Sequence, residues 1–184
     1  MAIHGAGDRP RHVRPVRHRI RRRAAGDLDG CLRVLAEVHE SDGYPVNWPQ
    51  RPADWLAPES QLAAWVAELD GRTAGHLALS PAGAGDAAPA LLSGRTGART
   101  EDIAVVTRLF VSPSARGHGL GALLMAQAER EARERGLHLV LDVVTFDAAA
   151  SALYERLGWK LLGVAEQRWS ADQTVQVRCY AAPR

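Results

Sequence analysis

The sequence lacks any long apolar run. Apolar residues make up 46% of its 184 residues, yet none of their runs approaches the roughly 18–20 residues that a membrane-spanning helix needs. The basic N-terminus is also not followed by the apolar stretch of a secretory signal. We therefore expect a soluble, cytoplasmic protein without a membrane partner, and the length favours one well-buried domain.

Cysteine is nearly absent as well. Cys31 and Cys179 are far apart in the chain and belong to no CxxC motif or Cys/His cluster. This arrangement favours buried, reduced thiols over a disulfide or a metal site. The sequence therefore predicts no metal ion.

The net charge of +2 is unevenly distributed along the chain. Residues 1–23 hold eight arginines and one acidic residue, whereas the remaining residues hold 15 basic and 20 acidic ones. An acidic body attracts a cationic amine, and an arginine-rich arm is able to contact nucleic acid. We expect a solvated, partly disordered tail instead, so nucleic acid is not the expected partner.

Composition and periodicity divide the chain into a leader at 1–16 and a domain at 17–184. The leader is rich in Gly, Pro, Arg and His and has no hydrophobic periodicity, which predicts a flexible segment. A short strand is expected to start near Val16. Asp27 precedes apolar residues at helical spacing, so it is the predicted cap of a first helix.

The middle of the chain combines one clear hairpin with two irregular segments. The hairpin is predicted from two strand-like segments, 64–69 and 73–79, joined through Asp70-Gly71. Residues 41–58 combine turn formers with three aromatic side chains and predict an aromatic loop. Residues 80–100 are small, Gly- and Pro-rich, and predict a surface insertion without regular structure.

The strongest pattern begins at Ile103. The run IAVVTRLFV predicts a buried strand that ends at Ser112-Pro113, and a Gly-rich turn then opens a long helix that Gly136 stops. The later predicted elements are a strand at 137–144, a helix at 148–157 capped by Asp147, and two closing strands at 159–169 and 174–181.

The Gly-rich turn, Arg116-Gly117-His118-Gly119-Leu120-Gly121, predicts an anion site. The first N–H groups of a helix lack intrahelical partners, and the helix dipole adds partial positive charge there. Glycines let a phosphate approach these groups, and Arg116 is able to add a charge-assisted bond. A P-loop is excluded because Ala122 and Leu123 follow the turn instead of Lys-Ser/Thr. A dinucleotide site of the GxGxxG type is disfavoured, because the spacing is GxGxG and Asp142 is expected in mid-strand.

Two motifs resemble the GNAT superfamily of N-acetyltransferases. Residues 109–121 resemble its central motif, in which a V-x-P strand end precedes Q/R-x-x-G-x-G/A, and residues 141–159 resemble its L-x-V, N-x-x-A and L-Y-x-x-x-G-F segment. The resemblance as a whole extends over residues 103–163. Asp147 departs from the usual Asn, and Trp159 from the usual Phe.

The resemblance implies an α/β fold with a central, mixed, mostly antiparallel sheet and helices on both faces. It also implies acetyl-coenzyme A as the cofactor. The backbone of the strand end is expected to pair with the pantetheine amides, and the turn is expected to hold the pyrophosphate. The residues that the resemblance places at the cofactor are Leu109, Phe110, Val111, Arg116, Gly117, His118, Gly119, Leu120, Gly121, Asp147 and Tyr154.

The resemblance also implies that Tyr154 is the general acid that protonates the departing thiolate, although a packed core tyrosine is the alternative. Glu101 and Asp102, just before the central strand, are candidate general bases, and weaker candidates are His39, Glu40 and His76. The acceptor site is expected in the aromatic loop, which holds Tyr44, Trp48 and Trp55. Core packing explains the same rings equally well.

The expected reaction is therefore direct acetyl transfer to a primary amine of a small molecule or peptide, in a ternary complex. Neither cysteine lies in a motif typical of a nucleophile. The alternatives are a different acyl-coenzyme A, a non-catalytic coenzyme A sensor, or a nucleic-acid binder on the same fold. The family resemblance also makes a homodimer reasonable.

Overall fold

The computed structural model describes residues 17–169 and 172–183, so the leader predicted at 1–16 lies outside the described part. The strands are β1 (His18–Arg22), β2 (Ala63–Leu69), β3 (Arg72–Pro81), β4 (Ile103–Val111), β5 (His138–Val144), β6 (Lys160–Arg168) and β7 (Thr174–Ala181). The helices are α1 (Leu28–Asp42), α2 (Pro52–Leu56), α3 (Ala87–Thr96), α4 (Leu120–Glu134) and α5 (Ala148–Arg156).

The seven strands form one sheet in the order β1-β2-β3-β4-β5-β7-β6. Among the described strands, only β4 and β5 run parallel, and every other neighbouring pair is antiparallel. The crossover between the parallel pair is α4, as a parallel connection requires. The predicted mixed, mostly antiparallel sheet is confirmed.

Helices cover both faces of this sheet because side chains alternate along each strand. On β2, Trp65 packs in the same cluster as α4 residues such as Leu124, whereas its neighbour Val66 packs against α1. On β4, Val105 packs against α3 on the same face as α1. The α1, α2 and α3 helices therefore lie on one face of the sheet, and α4 and α5 lie on the other.

Several predicted elements are confirmed. The hairpin turns at Asp70 and Gly71, both with positive φ (49° and 81°), the backbone that a two-residue hairpin turn of the primed type needs. Gly136 and Gly158 follow α4 and α5 with positive φ, which only glycine adopts readily, and both helices end there as predicted. The two cysteines are free and buried, and burial raises the pKa of each thiol to about 11.

The segment predicted to be irregular at 80–100 contains α3. Its small residues hide the helical pattern, but Ala88 and Leu92 lie one turn apart and bury against β4, β5 and β7. Pro89 lies in the first turn, where a missing N–H costs no hydrogen bond. The predicted aromatic loop likewise contains the short helix α2, which starts with Pro52.

The arginine-rich tail predicted at 1–23 is wrong over its last residues. Arg21 donates to both Asp27 and Glu68, Arg22 forms an ion pair with Glu131, and Arg23 donates to the carbonyl of Leu56. Asp27 is not the predicted side-chain cap of α1, because its carboxylate accepts instead from Arg21 and from the Ala24 N–H. Part of the basic arm is therefore bound within the fold.

Within the described residues, no helix is both long enough and apolar enough to cross a membrane.

Candidate functional site

The two parallel strands separate halfway along their length. Backbone pairing of β4 with β5 covers only three positions, from Ile103 opposite His138 to Val105 opposite Val140. Beyond them β5 pairs with β7 on its other side, while β4 continues beside β3. The second halves of the two strands thus border a cleft in the middle of the sheet.

A β-bulge shapes the cleft wall on β4. His76 pairs with Phe110 and Ala78 with Thr107, so Arg108 and Leu109 together face Leu77. Arg108 has a φ of 54°, a left-handed backbone that is costly for a residue other than glycine. The surrounding structure therefore holds this residue in a strained conformation at the cleft.

Along the edge of β4 that borders the cleft, every second residue presents its backbone N–H and C=O groups. The Ser112 N–H donates to the carbonyl of Ala74 on β3 at 2.8 Å, so the backbone groups of Phe110, two residues earlier, also face β3. Those of Leu109 and Val111 face the cleft. Phe110 instead contributes its ring, which stacks on His76 at a centroid distance of 5.3 Å.

The Gly-rich turn lies at the C-terminal end of β4 and opens α4. The N–H groups of Leu120, Gly121 and Ala122 start the helix, and no side chain in the described part of the chain caps them. Gly117 and Gly119 have φ of 81° and 72°, and a Cβ at either position would meet nothing within 4 Å. Free donors, open space and the positive end of a 15-residue helix therefore coincide.

Arg116 is the charged side chain of this turn, and in the structure it forms an ion pair with Asp42 at the end of α1. The Arg116 guanidinium holds the pKa of the Asp42 carboxyl below its usual value. His118 in the same turn is exposed. An anion that binds the turn therefore has to share the Arg116 guanidinium with Asp42 or displace the Asp42 carboxylate from it.

Tyr154 lies on α5, 7% exposed, with its ring 6.2 Å from that of Trp159 and 5.9 Å from that of Tyr180. Burial raises the pKa of the phenol, and the nearby Tyr44 and Asp147 raise it further. Its hydroxyl makes no hydrogen bond within the described residues, so it is free to donate to a ligand. Asp147 caps α5, as predicted, by accepting from the Ala150 N–H at 2.9 Å.

Asp142 is the carboxylate that sequence reasoning did not place in a site. It lies on β5 past the last β4 pairing, on the same face as Val140. Burial, followed by the charge of Asp86, raises the pKa of Asp142 to about 6. The negative charge of Asp142 also raises the pKa of Tyr154. The feature of the sequence that could have identified this residue is its position as an acidic residue in the middle of an apolar strand.

Tyr44, which follows α1, and Trp55, on α2, contribute two rings that lie together. Tyr44 packs edge-on against Trp55, with ring centroids 6.4 Å apart. Burial raises the pKa of the Tyr44 phenol; the charge of Arg108 lowers this pKa and the charge of Asp142 raises it. Trp48 lies apart from them on His39, at 5.0 Å. The segment between α1 and α2 reaches the β6–β7 loop, where the Asn47 amide donates to Gln173 at 2.6 Å.

The other candidate bases lie elsewhere. Glu101 and Asp102 precede β4, so a nine-residue strand, roughly 26 Å along its path from Ile103 to Val111, separates them from the turn. Glu101 forms an ion pair with Arg99. Glu40 is exposed on α1. The structure therefore does not bring these carboxylates together with Tyr154.

His76 has both ring nitrogens in contact with partners, and His39 has one. His39 Nδ1 lies 2.9 Å from the Pro45 carbonyl oxygen. His76 is fully buried between the Arg108 carbonyl oxygen and the Arg23 guanidinium. Burial lowers the pKa of His76 to about 4.

Comparison with known families identifies the class to which this fold and site belong. The model of the Acetyltransferase (GNAT) family matches residues 31–159, which include most of α1, strands β4 and β5, the turn and α5. The chain belongs to the GNAT acetyltransferase family and is an acyltransferase.

Two curated relatives extend the match. An uncharacterized N-acetyltransferase of Escherichia coli, YjgM, is 33% identical over 154 residues, which cover 79% of this chain and 84% of that protein. An uncharacterized N-acetyltransferase of Methanocaldococcus jannaschii is 25% identical over 146 residues; the match covers 77% of this chain but only 60% of that protein's length.

Solved structures share the fold. A GNAT family acetyltransferase from Brucella melitensis, crystallised in complex with acetyl-CoA, superposes with a TM-score of 0.59 at 21% identity. The superposition covers 91% of this chain and 90% of that one.

Proposed function

We propose that this protein transfers an acetyl group from acetyl-coenzyme A to a primary amine by direct attack in a ternary complex. One observation carries the proposal: the cleft between β4 and β5 has an uncapped helix N-terminus at its end and the carboxylate of Asp142 on β5, whose charge also raises the pKa of the Tyr154 phenol on α5. The acetyl-CoA complex of the Brucella melitensis relative supports the choice of cofactor.

The residues fit this cofactor in two places. The N–H groups of Leu120, Gly121 and Ala122 and the open space at Gly117 and Gly119 suit a diphosphate. The unpaired β4 edge at Leu109 and Val111 suits an amide-bearing chain that adds as a further strand. When bound, acetyl-coenzyme A supplies the activated acetyl group.

Two side chains of the protein then transfer protons, one as a base and the other as an acid. We assign Asp142 as the base that takes a proton from the ammonium of the acceptor, because a carboxyl with a pKa of about 6 is ionised at neutral pH yet more basic than an ordinary one. Tyr154 is the acid that gives a proton to the departing thiolate, since its raised pKa keeps the phenol protonated. Burial within the cleft also makes an ammonium easier to deprotonate.

The acceptor lies on the α1–α2 face in this account, against Tyr44 and Trp55, while the cofactor enters from the turn. Asp147 already accepts one hydrogen bond as a helix cap, so we assign it to positioning α5 and Tyr154. A homodimer and a cytoplasmic location stay predictions from the sequence.

A thiol-release assay tests the proposed function. Purified protein is incubated with acetyl-coenzyme A and a panel of amino acids, polyamines, aminoglycosides and short peptides, and free thiol and acetylated amine are both measured. Amine-dependent thiol release matched by an equal amount of acetylated product supports the proposal. Thiol release that is absent with every amine, or that yields no acetylated product, contradicts it.

A further inference from the structure

Arg108 places an unpaired cation inside the cleft. Its guanidinium lies over the ring of Trp55, 4.8 Å from the centroid, and Nη1 donates only to the neighbouring Thr107 hydroxyl at 3.1 Å. Its Nε is buried and has no hydrogen-bond partner among the described residues. Among the residues that the structure describes, no carboxylate forms an ion pair with it.

A second arginine, Arg23, is partly buried like Arg108 and adds to this positive charge. Arg23 donates to the Leu56 carbonyl at 2.7 Å and to the Gln61 side chain at 2.9 Å, and also contacts His76. None of these partners carries a negative charge, and burial lowers the pKa of Arg23 and of Arg108. Withdrawing a guanidinium from water without supplying an anion is costly even when the side chain is half-buried, so this charge is expected to have a function.

We propose that Arg108 binds a carboxylate on the acceptor, so that the amine is carried by an amino-acid-like molecule with charges of both signs. A guanidinium presents parallel N–H donors that match a carboxylate, and Nε is one of the two atoms that such a pair uses. Trp55 holds the guanidinium plane from one side. The inference rests on the proposed function and names its substrate class.

The placement of Asp142 agrees with this class. The opposite charges of Arg108 and Asp142 both act on the pKa of Tyr44, Arg108 lowering it and Asp142 raising it, and Tyr44 itself packs against Trp55. An acceptor bound beside Tyr44 would have Arg108 available for its carboxylate and Asp142 for its ammonium. A simple monoamine or polyamine would leave Arg108 without a partner.

Binding of reaction products tests the inference without needing turnover. An N-acetyl amino acid and its α-carboxamide are titrated calorimetrically into the full-length protein, with and without coenzyme A. We expect the carboxylate to bind about 10- to 100-fold more tightly than the amide, as a desolvated charge-assisted pair allows. An N-acetyl dipeptide then distinguishes a free amino acid from a peptide C-terminus as the source; either one supports the contact.

Three variants separate recognition from packing. Arg108→Gln keeps the stem on Trp55 and is expected to remove the carboxylate preference, whereas Arg108→Lys keeps part of it. Arg51→Gln removes an exposed arginine that immediately precedes α2, the helix of Trp55, and serves as the matched control. Coenzyme A affinity is measured throughout.

Equal binding of carboxylate and amide to the wild type overturns the inference, as does a preference that survives in Arg108→Gln. An equal loss for both ligands in Arg108→Gln assigns the side chain to packing and overturns it too. Failure to bind coenzyme A would instead remove the proposed function, and the titrations without coenzyme A still report on Arg108.

Discussion

His76 fixes the carbonyl of Arg108 at the bulge: its Nδ1 lies 2.9 Å from that oxygen, while its Nε2 lies 3.0 Å from Arg23 Nη1. A guanidinium only donates, so Nε2 accepts and the ring proton lies on Nδ1. The imidazole is therefore a neutral ring in one tautomer, stacked on Phe110. It holds the strained β4 backbone from which the Arg108 side chain starts.

This arrangement predicts a pH dependence of stability. The pKa of His76 falls from 6.5 in the unfolded chain to about 4 in the fold, so the unfolded state binds the proton more tightly. The stability that the neutral ring contributes is complete above pH 6.5 and is lost as the pH falls toward 4, by about 3 kcal/mol over that window. We expect His76→Gln to lack this loss.

Urea unfolding of both proteins between pH 7 and 4.5 measures the difference. The comparison has to be made between the two curves, because Asp142 acts in the opposite direction. Its pKa is raised to about 6 in the fold, so its contribution to stability falls as the pH rises from 3.8 to 6. Parallel curves for the wild type and the variant would show that His76 does not titrate as described.

The assignment of Asp142 as the base predicts the pH dependence of turnover. In the wild type, kcat/KM should rise with pH through about 6, as the carboxyl of the free enzyme loses its proton. Asp142→Asn should lower kcat/KM by about 10²- to 10⁴-fold and remove the acidic limb of the pH profile, in which kcat/KM rises with pH. An Asn variant with the same pH limb would assign the titration to another group.

Asp86→Asn is the matched control for Asp142. The Asp86 charge raises the pKa of Asp142, so its removal should move the acidic limb to lower pH with activity retained. The Asn side chain can still accept from the Gly83 N–H, a bond of 2.7 Å in the wild type. A limb that does not move would mean that the two carboxylates are not coupled.

The role of Tyr154 predicts a loss in kcat with little change in coenzyme A affinity. Tyr154→Phe removes a hydroxyl that makes no hydrogen bond within the described residues, so it should fold normally while kcat falls by about 10²-fold or more. Tyr180→Phe, which loses a 3.0 Å bond to Glu155, controls for removal of a neighbouring phenol and should keep its turnover. Steady-state kinetics measure both; an unchanged kcat in Tyr154→Phe would assign the ring to packing.

Sequence alone predicted the elements whose patterns are local. The turn at Asp70-Gly71 and the glycine at 136 determine a hairpin and a helix end by their own backbone preferences. The Gly-rich turn before α4 was predicted for the same reason, because free helix N–H groups depend only on neighbouring residues. These parts of the fold required no tertiary information.

The cleft chemistry depends on contacts between distant segments and was not predicted. Asp142 and Arg108 become notable only because β4 and β5 separate beyond Val105 and Val140, and because the charges of both residues act on Tyr44, which follows α1. Arg116 was predicted at an anion, but its ion pair with Asp42 joins residues 74 positions apart. Helix α3 was missed because small residues gave it a weak apolar face.

The most direct test of the central claim is calorimetric titration of acetyl-coenzyme A into the wild type and into two glycine variants. Gly119→Ala and Gly136→Ala impose similar strain, since φ is 72° and 68° and no atom lies within 4 Å of the added Cβ. They lie at opposite ends of α4, however, and only Gly119 belongs to the proposed diphosphate site. We predict that Gly119→Ala weakens binding at least about tenfold while Gly136→Ala binds like the wild type. Equal affinities for all three proteins, or no binding by the wild type, would contradict the account.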